Sequence, residues 1–157
     1  MVARAPNQMQ IDAAYLQEFD PFRVPVSTFG PVAARVELDP YHDVVVRARE
    51  GRRKRAVLLT EETKSSEVLA FMVLSAPGAM SLSARRRWVV ASPIQRSETS
   101  ISVVVNGRAE RPTAVTDQAW VLILGEEHAG AELQISSTNR GRSIVRPFRL
   151  PKPGQQH

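Results

Sequence analysis

Apolar and polar residues alternate along most of this chain, and the alternation starts at Val32. Val32, Ala34, Val36 and Leu38 are separated by small or polar residues, and Val44, Val46 and Ala48 alternate with Val45, Arg47 and Arg49. Short apolar runs follow at 55–60, 67–75, 79–83, 87–92, 101–105, 119–124, 131–136 and 143–150. Period-two patterning and β-branched content predict strands at most of these. The run Val68–Leu74 lacks alternation, which fits a central strand or a short buried helix.

Turn chemistry divides the runs. Asn106-Gly107 follows ISVVV and supplies the positive φ values of a two-residue hairpin. Asp39-Pro40, Gly51 and Pro77-Gly78 are further breaks, and GEEHAG at 125–130 reads as a hairpin loop. Pro112 and Pro147 place edge strands or strand ends at their positions. Eight to ten short strands at this spacing predict an all-β fold: an antiparallel β-sandwich of jelly-roll or immunoglobulin-like type over residues 32–150. Val36, Val46, Leu59, Phe71, Trp88, Val103, Leu122 and Ile135 are the expected core.

The N-terminal residues follow another pattern. Ile11, Tyr15 and Phe19 recur at i, i+4 and i+8, one stripe of a short helix that Asp20-Pro21 ends. In residues 20–31, Pro21, Pro25 and Pro31 favour an extended path, while Phe22, Val24, Val26 and Phe29 require a surface to cover. Residues 1–31 therefore read as an arm laid over this domain or a neighbouring subunit, and residues 151–157 as a polar tail.

Composition narrows the chemistry. The chain has 157 residues, one domain's length, with no Cys and three His. A disulfide framework and a thiolate metal site are ruled out. Glu126, Glu127 and His128 are adjacent and cannot all converge on one ion, and only His42-Asp43 offers further ligands. Neither a GxSxG elbow nor a phosphate-binding glycine loop occurs. Glu61-Glu62 reads as surface charge, its two side chains pointing in different directions. No catalytic residue, metal or cofactor is expected. No apolar leader segment or bilayer-length apolar stretch is visible, so the expected location is a virion or the cytoplasm, without membrane contact.

Charge is the strongest remaining signal. The formal net charge is +5, from 21 basic and 16 acidic side chains. Two runs concentrate it: Arg52, Arg53, Lys54 and Arg55, then Arg85, Arg86 and Arg87. Such runs can hold phosphates without reading bases, or meet carboxylates of a partner protein, or simply face solvent. Only nine aromatic residues are present, and Trp88 and Trp120 lie in apolar runs, so a stacking platform for single strands is missing. A Cys-free β-domain between an apolar arm and a basic tail is arranged like structural subunits of large assemblies. The leading expectation is a non-enzymatic virion component (capsid, decoration or tail) that docks on neighbouring subunits through Ile11, Tyr15, Phe19, Phe22, Val24, Val26 and Phe29. The alternative is a sequence-nonspecific nucleic-acid-binding β-barrel that uses the arginine runs.

Overall fold

The computed structural model describes residues 19–52, 54–74 and 78–152. The expected helix at 11–19, with Ile11 and Tyr15, lies outside them apart from Phe19, as do Arg53 and residues 153–157. Within the described residues the fold is β throughout, with two short 3-10 turns at Val26–Thr28 and Glu126–His128.

Twelve strands form three antiparallel sheets of four. Sheet I is a meander of β1 (Val32–Asp39), β2 (His42–Glu50), β3 (Arg55–Thr63) and β4 (Val68–Leu74). Sheet II has the order β5 (Met80–Ala84), β6 (Arg87–Pro93), β10 (Ala119–Gly125), β9 (Ala114–Val115). Sheet III has the order β12 (Arg142–Arg149), β11 (Glu132–Asn139), β7 (Glu98–Val105), β8 (Arg108–Glu110). A jelly roll or an immunoglobulin-like sandwich has two sheets, so the sequence pattern gives the class and misses the third sheet.

Sheet II is covered on both faces. Val89, Ala91, Ala119 and Val121 join one core with Leu38, Val44, Val46, Val57 and Leu59 of sheet I. The alternate residues Trp88, Val90, Trp120, Leu122 and Leu124 join a second core with Val103, Val105, Leu133 and Ile135 of sheet III. Both faces of β6 and β10 are apolar for that reason, which is why WVVAS and AWVLIL lose their alternation. Of the eight expected core residues, six are buried, while Val36 and Phe71 are half-buried.

Sheet I is also covered on both faces, by a different device. Residues 19–29 lie on its outer side, where Phe29 is buried with Ala56 and Leu58 and flanked by Phe19, Val26, Phe71 and Val73. Burying a side chain of that size contributes about 1.5–3 kcal/mol. Gly30 makes the approach possible, since a Cβ there would stand 2.0 Å from the Ala48 carbonyl oxygen. Just beyond it the Ala48 amide donates to the Pro31 carbonyl at 3.1 Å.

Three sequence expectations are corrected. Val68–Leu74 is an edge strand paired only to β3, neither a helix nor a central strand. It is apolar throughout because sheet I has a core on each side, and its edge position leaves it half-buried. GEEHAG is not a hairpin loop: it carries the chain from β10 in sheet II to β11 in sheet III through the Glu126–His128 turn. Glu61 and Glu62 do point to opposite faces, yet both are buried. Four two-residue hairpins do form, at Pro40-Tyr41, Arg85-Arg86, Asn106-Gly107 and Arg140-Gly141.

Candidate functional site: an apolar edge and a basic rim

The two arginine runs lie at opposite ends of the sheets. Arg55 starts β3 beside the end of β6, and Arg87 starts β6. The seven residues of β6 separate these ends, which at about 3.3 Å per residue is roughly 20 Å. They do not form one patch.

In the first run, Arg55 is spent inside the molecule. Its Nε donates to Glu50 Oε1 at 2.5 Å, its Nη1 to the carbonyls of Ile94 and Asp117, and its backbone amide to Gln95 Oε1 at 2.9 Å. It ties sheet I to sheet II and is buried, so it cannot serve as part of a free patch. Arg52 is exposed and Lys54 half-buried, and neither side chain makes a hydrogen bond or ion pair with described residues.

Other cations join them from loops distant in the chain. Arg96 reaches Glu50 at 3.5 Å and remains 70% exposed. Ser97 Oγ donates to Asn139 Oδ1 at 2.5 Å, which holds the β11–β12 turn and its exposed Arg140 and Arg142 against the β6–β7 loop. Loop 51–54, loop 94–97 and turn 139–142, one from each sheet or sheet junction, thus share one end of the molecule. Four cations there, Arg52, Lys54, Arg140 and Arg142, have no protein partner among the described residues. Burial pushes the Glu50 carboxyl up, but the Arg55 and Arg96 guanidiniums outweigh it, so Glu50 stays ionised well into acid. Glu98, buried, accepts from Ser137 Oγ at 2.5 Å and from Arg146 Nη1 at 3.2 Å.

The second run is mostly structural. Arg85 Nε donates to Glu61 Oε2 at 2.7 Å, and Arg87 Nη1 to the Leu38 carbonyl at 2.7 Å, both linking sheet II to sheet I. Arg85 and Arg86 have φ of 50° and 62°. Side chains with a Cβ give up about 1–2 kcal/mol each in that region, and the Arg85–Glu61 pair offsets part of it. Of the three, Arg86 is exposed and has no side-chain partner among the described residues.

At that end the charges are mixed. Asp39 accepts from the Tyr41 amide and faces His42 Nδ1 at 2.9 Å. Burial pushes the Asp43 carboxyl up, yet hydrogen bonds and charge from Lys64 and Arg35 outweigh it and hold it below the ordinary carboxylate range. Hydrogen bonds to Asp43 and Glu37 raise Lys64 above its ordinary value. His128 lies 3.4 Å from Glu127 and is not brought to His42. Among the described residues, no group of three or more His, Asp and Glu is placed to hold a metal ion. No helix among them is long and apolar enough to cross a membrane.

The arm residues divide into two sets. Phe19, Val26 and Phe29 cover sheet I of their own chain. Arg49, unforeseen in the sequence, clamps them: its guanidinium lies 4.3 Å from the Phe29 ring centroid and 5.8 Å from that of Phe19, and its Nε donates to the Phe29 carbonyl at 2.9 Å. Phe22 and Val24 remain outside, 61% and 41% exposed. Phe22 stands edge-on to Phe71 of β4 at 5.6 Å, and Met72 of the same strand is 37% exposed. Apolar side chains thus stand exposed on both faces of edge strand β4, Phe22 over the outer face at Phe71 and Met72 on the inner face. A shallow hollow lined by Pro21, Phe22, Pro25 and Val26 against Ser66, Glu67 and Val68 adjoins Phe22.

Beneath this cover lies a buried ion pair. Arg47 Nη1 donates to Glu62 Oε2 at 2.8 Å, and Thr60 Oγ1 donates to the same oxygen at 2.5 Å. Glu62 is fully buried and its Oε1 has no hydrogen-bond partner. No family model, curated protein or solved structure matches this chain.

Proposed function

We propose that this protein is a non-enzymatic structural subunit of a larger assembly, a virion component of the capsid, decoration or tail kind, that meets neighbouring subunits through protein surfaces. The observation that carries this reading is the uncharged edge strand β4, with Phe22 exposed over its outer face, Met72 exposed on its inner face and Val24 exposed in the arm. Exposed apolar patches continuous with an open sheet edge mark interaction sites. In this reading Phe19, Val26 and Phe29 anchor the arm on its own sheet so that Phe22 and Val24 are presented to a neighbour. The three stacked sheets are taken as a β-sandwich extended by one layer. Sedimentation of the purified chain against a Phe22→Ser/Val24→Ser variant tests the role: the variant should stay folded and lose mass.

A second reading is supported by the basic rim. Arg52, Lys54, Arg140 and Arg142 are positioned to grip a phosphate backbone without reading bases. Binding of random-sequence duplex DNA should then weaken steeply with salt, and Arg140→Ser/Arg142→Ser should reduce the slope of log K against log salt by about 1–2. A slope unchanged by the substitutions removes the rim from any such contact.

A further inference from the structure

We infer that the outer edge of β4, which pairs with no strand but β3 among the described residues, pairs antiparallel with β4 of a second copy of this chain, joining two copies of sheet I into one eight-stranded sheet. This rests on the assembly reading above and names its partner.

Among the described residues the three sheets have six edge strands, and five carry a feature that discourages pairing. β8 and β9 are short, at three and two residues, and β5 carries Ser81 and Ser83 on one face. β1 bears Arg35 and Glu37 and is broken by register shifts at both ends. β12 carries Arg142, Arg146 and Arg149 and contains Pro147. Only β4 is seven residues long with neither charge nor proline. It has one bulge, near Leu69, which leaves Ala70–Leu74 regular against Val57–Glu61.

That stretch matches itself. A two-fold axis through Met72, its centre, sets Ala70 opposite Leu74 and Phe71 opposite Val73. Phe71 and Val73 share the outer face with Leu58, and Met72 and Leu74 share the inner face with Leu59 and Val57. Each face of the new pair is therefore apolar on both strands and continues a core already present. A foreign strand with one polar face would leave polar groups against Phe71 and Val73 or against Met72 and Leu74. Phe22, already edge-on to Phe71, stands where it would cover the seam from each side. The contact is isologous, so it closes at two copies and leaves the rest of each subunit free for other neighbours.

The chain has no cysteine, so single cysteines report the geometry cleanly. On mild oxidation, Met72→Cys should form a disulfide-linked dimer, because residues facing each other on a two-fold axis have Cα atoms within disulfide reach. Val145→Cys, at a more exposed position on β12, should not. Equal crosslinking of both variants would mean random collision and overturn the pairing. Met72→Lys, checked for folding by circular dichroism, should weaken dimerisation at least 100-fold in sedimentation. An oligomer that survives Met72→Lys but disappears with Phe22→Ser/Val24→Ser overturns the β4 pairing while keeping the assembly reading. A wild-type chain that stays monomeric at every concentration overturns both.

Discussion

Among the described residues, strands β4 and β12 are two long edges on the outer layers of one molecule, and they are built in opposite ways. β12 alternates exposed and half-buried residues, places an arginine near each end and another in the middle, and includes a proline. β4 has seven apolar residues and no charge. Both offer unpaired backbone groups. Charge on β12 makes a second strand costly there, since arginines would have to be desolvated or set against one another. Nothing comparable opposes a strand at β4. The difference separates a surface where the protein ends from one where its sheet is built to continue.

Sheet I can hold such an edge only while its far face stays closed, and the largest expected effect comes from opening it. Arg47→Met leaves Glu62 fully buried with Thr60 as its one side-chain partner among the described residues. Breaking a buried pair from one side costs about 3–5 kcal/mol, measurable by urea denaturation. Replacing both partners by apolar residues of similar volume should restore much of that loss. Next in size is Gly30→Ala. A Cβ would meet the Ala48 carbonyl, so residues 19–29 must lift, at about 1–3 kcal/mol by analogy with overpacking. Tryptic cleavage at Arg23 should speed up and self-association should weaken in the same variant.

On the β12 side, Arg146→Met tests whether its arginines serve only as guards. Arg146 also holds buried Glu98, so the substitution should cost about 1 kcal/mol, a hydrogen bond to a charged group partly screened by solvent. If stability is unchanged, Arg146 is edge protection alone. The smallest effect is that of Asp43. Lys64 and Arg35 hold its folded-state pKa below the ordinary 3.8. The stability it contributes is therefore complete above that value and is lost as pH falls through the lower folded value. Acid unfolding of Asp43→Asn should start from a lower stability at pH 7 and converge with wild type once pH falls below the lowered folded-state value.

The sequence makes local features legible and leaves global ones hidden. Alternation and the Asn106-Gly107 turn locate β1, β2, β7 and β8, because side-chain period and turn geometry are set within a few residues. Pro147 places an edge strand correctly for the same reason. The third sheet is invisible, since a strand buried on both faces looks the same whichever sheets enclose it. Whether the apolar run Val68–Leu74 is central or edge depends on what stands beside it, and local pattern carries no such information. The arginine runs mislead for a related reason. Arg55, Arg85 and Arg87 look alike in sequence to Arg52 and Arg86, yet strand register decides which of them meet a carboxylate or a carbonyl. The rim that gathers Arg52, Lys54, Arg96, Arg140 and Arg142 is assembled from loops up to 90 residues apart, and the sequence hints at it only in pieces, the run at 52–55 and the absence of acidic residues after Glu132.

Hydrogen exchange at two protein concentrations compares the two edges most directly. Amides of β4 that point away from β3 should be poorly protected in dilute protein and become protected as concentration rises. The outward amides of β12 should exchange at the same rate throughout. Concentration-independent exchange at β4, or protection gained at β12 instead, would contradict the claim that the molecule continues through the one edge and ends at the other.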